Sequence, residues 1–201
     1  MKTLINTVLK SSSVAILLVA SLFSLNASSA TVPVDRGAMN TDIKRVIVTG
    51  STKVLLIQSA SESVTVDEFD VAKVSLKQVG NTLTISSSEK YPVTVTVYVK
   101  DIYRIDASGK ANVNTAGTFN VKFLQVMLKD DATARVKAKT ESLYTVINDN
   151  AHLQLIGASA SHIVEIAGLA KMDTNKFAAL KTENRSLLAV TAASVSTDLS
   201  K

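Results

Sequence analysis

The chain has 201 residues, 46% of them hydrophobic and 19% charged, with no cysteine and no tryptophan. That length suits one domain with its own core, and the missing cysteine excludes a disulfide framework, a thiol nucleophile and a lipid attached through cysteine. The net charge of +5 overstates any case for a polyanion partner, because Lys2 and Lys10 lie in an acid-free stretch of thirty residues and the remainder carries +3.

Residues 1–30 have the three-part layout of a secretory leader. Lys2 and Lys10 are its only charges, and Val14 to Leu25 is apolar except for Ser21 and Ser24. Ala27-Ser-Ser-Ala30 then supplies the small residues a signal peptidase recognises. The apolar run is well short of the ~20 residues a spanning helix needs. A cleaved leader is therefore expected rather than an anchor, with no transmembrane segment after cleavage. Residues 31–42 are expected to be an N-terminal extension and residues 43–201 the folded domain.

Beyond Thr31 the pattern is two-residue alternation, the period of a half-buried strand. It is clearest from Pro92 to Val99, where Val93, Val95, Val97 and Val99 alternate with Thr94, Thr96 and Tyr98. Val54 to Gln58, Ser63 to Val66 and Leu83 to Ile85 are shorter strands of the same kind. Asn, Asp, Gly and Ser cluster between them, as tight turns require. Neither Pro33 nor Pro92 interrupts an alternating run.

The second half repeats. Small residues Ala111, Ala134, Ala151, Ala170 and Ser186 anchor five units, spaced by 23, 17, 19 and 16 residues. Ile105, Leu128, Thr145, Val164 and Leu180 stand six residues before each anchor, and Val113, Val136, Leu153, Met172 and Leu188 two after. Val46, Thr52 and Val54 fit an earlier copy. A unit this short cannot bury its own apolar face, so the units must stack. Strand-and-turn units of this length predict a single-domain parallel β-helix, each turn hydrogen-bonded to the next about 4.8 Å away. A β-sandwich is the alternative, since hairpins alternate too, but it gives no reason for a repeated small residue.

These repeats resemble a known family. The pieces are Ile105-Asp-Ala-Ser-Gly-Lys-Ala-Asn-Val113, Asp131-Ala-Thr-Ala-Arg-Val136 and Ile166-Ala-Gly-Leu-Ala-Lys-Met172. They are similar to units of the bacterial head GIN domain family, described as autotransporter adhesins. Val46-Ile-Val-Thr-Gly50 and Val54-Leu-Leu-Ile-Gln58 look like its opening strands, and the resemblance spans about residues 43 to 195. It implies a right-handed β-helix in an exported envelope protein without established enzymatic chemistry. The chain departs from the pattern where Ala132, Asp149 and Asn184 replace the glycine present at Gly109 and Gly168. A self-secreting chain also needs a membrane barrel of at least eight strands, and no segment here supplies one, so surface display is expected to depend on another exporter.

Candidate chemistry is thin. His152 and His162 have no cysteine or carboxylate at ligand spacing, so a surface histidine and a strand-edge histidine are expected rather than a metal site. Asp130-Asp131 and Asn148-Asp149-Asn150 occupy equivalent turns. They could hold calcium, but Asp and Asn also favour turns because they cap their own backbone. Lys129, Asp130, Asp131 and Arg135 are the nearest approach to the acid-and-base cluster of a polysaccharide lyase, the enzyme alternative, and no long loops wall a groove around them. The serine elbow and the phosphate-binding loop are missing, and of the nine Phe and Tyr several, such as Phe119 and Phe123, sit where a core would want them, which argues against nucleic acid.

One feature stands out. Arg135, Lys137 and Lys139 alternate with Val136 and Ala138, so all three point outward, with Arg135 expected in one column with Asn112, His152 and Lys171. Either this is a solvated face that also guards against stray strand pairing, or Arg135, Lys137, Lys139 and Lys171 form a surface for an anionic glycan or lipid headgroup. The expectation is a binding or structural protein, adhesin-like and not an enzyme, with no cofactor and no metal. It would be periplasmic, outer-membrane associated or extracellular.

If the leader is cut after Ala30, intact-mass measurement of protein taken from the cell envelope will give an N-terminus at or next to Thr31. A mature form still beginning at Met1 would remove the basis for export.

Overall fold

Alternating β-branched residues become strands, and the Asn, Asp and Gly clusters become corners. The computed structural model describes residues 31–33 and 42–185. The leader, most of the 31–42 extension and the repeat anchored on Ser186 lie outside the described residues. The strands are β1 Thr31–Pro33, β2 Arg45–Gly50, β3 Thr52–Gln58, β4 Ser63–Asp67, β5 Ser75–Val79, β6 Thr82–Ser87 and β7 Val93–Val99. They continue with β8 Arg104–Ala107, β9 Asn112–Ala116, β10 Phe119–Leu128, β11 Thr133–Ile147, β12 His152–Ile166 and β13 Lys171–Asn184. The only helix among the described residues is a 3₁₀ segment, Glu68–Lys73, which Asp67 caps by accepting a hydrogen bond from the Phe69 N–H. The fold is all-β, as expected.

All thirteen strands belong to one sheet, and nine of its twelve pairings are parallel. Each turn of chain lies beside another, but spatial order departs from chain order. The turn made by β2 and β3 lies between the turn of β6 and β7 and the turn of β8 and β9. From β8 onward the turns follow in sequence. The end beyond β6 and β7 is closed by antiparallel strands, β5 on β6, β4 on β7 and β1 on β4.

Inward residues of successive turns stack into one core. Val46, Ile105 and Val126 share a column and are fully buried, and Thr145 and Val164 continue it. Burial of each such aliphatic side chain contributes roughly 1.5–3 kcal/mol. In β7, buried Val93, Val95, Val97 and Val99 match the alternation of the sequence.

The register corrects the repeat frame in two units. Backbone N–H groups of Thr133, His152 and Lys171 donate to the carbonyls of Ala111, Ala132 and Ala151 at 2.8, 2.9 and 2.9 Å. The stacked small residues are therefore Ala111, Ala132, Ala151 and Ala170, with Ala132 in the place expected for Ala134. Ala134 instead pairs with Val113 and Leu153. The reason is the two-residue period: Asp131-Ala-Thr-Ala134 offers an inward alanine at both positions, and alternation cannot tell a slip of two from the true register. The same slip displaced Leu128, whose expected column holds Val126. Leu180 pairs nowhere near Val164, which sits beside Asn184.

At one corner the backbone enters the left-handed region in every turn except that of β6 and β7, with φ of 71° at Gly50, 68° at Gly109, 59° at Asp130, 61° at Asp149 and 72° at Gly168. An ordinary side chain there costs roughly 1–2 kcal/mol. The two aspartates offset it by bonding along the stack: Gly109 N–H donates to Asp130 Oδ2 at 2.9 Å, and Asp130 N–H donates to Asp149 Oδ2 at 3.0 Å. So Asp130, not Ala132, takes the place of the corner glycine.

The alanine column yields a stability test. Ala132→Glu or Ala151→Glu would bury a charge without a partner, costing several kcal/mol out of the roughly 5–15 kcal/mol of a typical domain, so neither variant should accumulate as soluble folded protein. Lys137→Glu, one face over, should melt within about 2 °C of the parent. Parental melting of Ala132→Glu would place these alanines outside the core.

Candidate functional site

Strand β11 alternates along its first half. Ala134, Val136 and Ala138 are buried, while Arg135, Lys137 and Lys139 are exposed. Residues two apart on one face of a strand are ~6.6 Å apart, so the three cations form a short outward row. In the ladder Arg135 lies between Asn114 and Gln154, Lys137 beside Ile156, and Lys139 between Asn120 and Ala158.

Lys171 is on the same face but in another column. That column runs Lys53, Asn112, Thr133, His152, Lys171. Arg135 is not part of it, contrary to the expected frame, because the two-residue slip at Ala134 carried Arg135 along. Lys171 is two strand spacings from β11, roughly 10 Å along the stack. The register adds Lys53 and Lys176 to this face, with Lys176 beside Ile156. None of Lys53, Arg135, Lys137, Lys139, Lys171 and Lys176 takes part in the ion pairs of the described residues. Asp173 is the acid among them. The Asn175 N–H and then the Gln154 amide, each 2.9 Å away, hold its carboxyl below the usual range, so it stays charged.

A second cluster, which the sequence reading missed, lies on the face carried by β2, β8, β10 and β11. Arg45 and Arg104 stand directly opposite one another, an arrangement that is unfavourable for like charges. Asp106 lies between them, 2.8 Å from Arg45 Nε and 2.8 Å from Arg104 Nη2. With Met127, Lys129 and Val146 the trio lines a concavity of about 460 Å³. The partners are 59 and 61 residues apart. Aligning Val46 with Ile105 is the signal that would have set Arg45 beside Arg104.

Carboxylates on this face are separated and engaged. Asp106 and Glu165 are three strand steps apart in one column, roughly 14 Å. Glu165 Oε1 accepts a hydrogen bond from the Tyr144 hydroxyl at 2.9 Å, whose pKa burial and this bond both raise. At the corner, Asp131 accepts from the Asn150 amide at 2.9 Å. Among the described residues no group of three or more His, Asp or Glu is placed to hold a metal ion. No helix among them is long and apolar enough to cross a membrane.

A family model described as "Putative auto-transporter adhesin, head GIN domain" matches residues 42–196. No curated protein matches. Among solved structures, one described as a "putative adhesin" from Bacteroides fragilis aligns with a TM-score of 0.65 at 14% identity, covering 78% of this chain and 75% of the other. A "Putative lipid binding protein" from Parabacteroides distasonis aligns at 0.58 and 14% identity, covering 80% and 79%. A "putative adhesin" from Parabacteroides merdae aligns at 0.56 and 18% identity, covering 78% and 76%. At such identities the likeness concerns the fold.

The two histidines part company. His152 is exposed, whereas His162 is 2% exposed, hydrogen-bonded between its Nε2 and Thr145 Oγ1 at 3.0 Å and edge-on to Phe177. Burial lowers the His162 pKa. A lowered folded pKa means the unfolded chain binds more protons, so stability is full above the unfolded value of about 6.5 and falls as the pH drops below it. Thermal melts from pH 7.5 to 5 should show this loss in the parent and a flatter profile in His162→Gln. Parallel profiles would assign the titration elsewhere.

Proposed function

Because the chain belongs to the head GIN domain family, we propose that it is an exported binding or structural protein of the cell envelope, acting through a charged outer face and without catalysis. In this reading residues 1–30 are removed as a leader, 31–42 form an extension, and 43–201 build a right-handed parallel β-helix held in the periplasm, at the outer membrane or outside the cell.

The observation that carries the proposal is the unpaired cationic face. Arg135, Lys137 and Lys139 project from one strand, with Lys171, Lys53 and Lys176 on neighbouring turns. Backbone ladders fix their spacing, so a repeating polyanion could meet several at once with little ordering cost. The ligand class is an anionic surface polymer or headgroup: a carboxylated or phosphorylated glycan, or an acidic lipid. The lipid-binding description of one similar fold is compatible with the second source. A polysaccharide-cleaving role gains less support, because paired catalytic carboxylates stand roughly 5–9.5 Å apart, closer than Asp106 and Glu165, and both of those already hold partners.

Replacing Arg135, Lys137 and Lys139 together with Ser leaves the inward Val136 and Ala138 in place, so the fold should survive. Binding to phosphatidylglycerol vesicles or to an acidic envelope glycan should fall about tenfold or more, since exposed charges contribute a few tenths to 1 kcal/mol each. Raised salt should reproduce the loss in the parent. Unchanged binding by the triple variant would return this row to an ordinary solvated face.

A further inference from the structure

The two ends of the stack differ. One is closed by antiparallel β4 and β5. At the other, β13 pairs with β12 and with no other described strand. Behind its free edge Ala170, Met172 and Phe177 are only partly buried. A free edge of fourteen residues is a template for another strand.

The side chains of β13 specify which strand fits. Lys171 and Asp173 point outward, beside His152 and Gln154. The register shifts between Gln154 and Ile156, and Lys176 then takes the outward place. Farther on, Lys181 and Glu183 pair with Ser161 and Ile163, which alternate with buried His162 and Val164, so both also point outward. Phe177 sits at the middle, on the inward side, edge-on to His162.

We propose that this edge pairs antiparallel with the same edge of a second copy, about a twofold axis through Phe177. In that register Lys171 faces Glu183 of the second copy and Asp173 faces its Lys181, and symmetry repeats both pairs. Opposed side chains in an antiparallel ladder are ~4.5–5.5 Å apart, close enough for the charges to attract. Inward residues stay inward: Met172 faces Thr182, Ala170 faces Asn184, and Phe177 faces its own copy. Sliding by two residues in one direction sets Lys171 against Arg185 and Asp173 against Glu183. Sliding the other way sets Lys171 against Lys181 and Lys176 against itself. Odd shifts turn the inward set outward. Of these registers only the one centred on Phe177 joins opposite charges throughout. Glu183 now pairs with Arg185 at 2.7 Å in the open, a weak contact that leaves it free to share.

On a lone chain the same lysines would serve only to repel other strands, and sedimentation distinguishes the two. The exported protein should be a dimer at micromolar concentration in analytical ultracentrifugation. Lys171→Glu and Glu183→Lys each set like charges together at two symmetric places and should raise the dissociation constant about tenfold. The double variant restores opposite charges and should return to within about threefold of the parent. No ligand enters this test, so its outcome is separate from that of the anion-binding face. A parent that stays monomeric, as it would if residues 186–201 covered the edge, overturns the proposal. So does a dimer indifferent to the single changes or not rescued by the double one.

Discussion

Successive turns of this chain are joined by parallel backbone hydrogen bonds, and the register of those bonds decides every other feature. The N–H of His152 reaches the carbonyl of Ala132, and that of Lys171 reaches Ala151, each at 2.9 Å. Because side chains alternate with a period of two, this register places Val126 over Ile105 and leaves Arg135, Lys137 and Lys139 in water. There is no disulfide to hold the turns. The ladder and the aliphatic column inside it supply the cohesion, and left-handed corners at Gly50, Gly109, Asp130, Asp149 and Gly168 turn the chain in every layer but that of β6 and β7.

How much of this was legible follows from which signals repeat with period two and which do not. Strand identity and facing were legible, since Val93 to Val99 and Ala134 to Lys139 alternate without exception. Layer register was legible only where no second alanine stood two residues from the anchor, as at Ala111, Ala151 and Ala170. Where alanine occurs twice, at Ala132 and Ala134, the period hid the slip. In the last unit the frame set Leu180 beside Val164, an offset of 16, whereas the ladder pairs Val164 with Asn184, an offset of 20. The slip at Ala134 leaves every residue on its own side, so the outward row survived it, whereas Leu180, expected inward, is exposed.

The site was legible to the same degree. A row on one strand is local, and the alternation of Arg135, Lys137 and Lys139 announces it. Lys53 and Lys176 reach the face only through cross-turn pairing, and Arg45 reaches Asp106 only across 61 residues. Such neighbours exist in the sequence as a consequence of register and cannot precede it. The turn aspartates show the converse. Their local meaning, capping the backbone, was one of two readings, and the ladder from Gly109 through Asp130 to Asp149 shows how it is done across layers rather than within one.

Chain order and spatial order disagree at one place, which gives the Arg45–Asp106–Arg104 trio a structural meaning. From β8 to β13 each turn pairs with the turn before it at offsets of 19 to 21 residues, short closures that add one layer at a time. The turn of β2 and β3 cannot join that way. It meets β8 and β9 across 59 residues, and the chain between them has already built the cap and the layer on its far side. This junction is therefore the one least specified by local sequence, and a slip here would misplace the whole capped end. Two arginines stand face to face on the two sides of it, both bound to one half-buried carboxylate. Moving β2 by two residues one way would carry Arg45 to Ile102, away from that carboxylate, and the other way would set it directly opposite Asp106. The like-charge pair that looks unfavourable on one layer is thus offset by a carboxylate that both arginines share, and it ties together the layers with the longest reach.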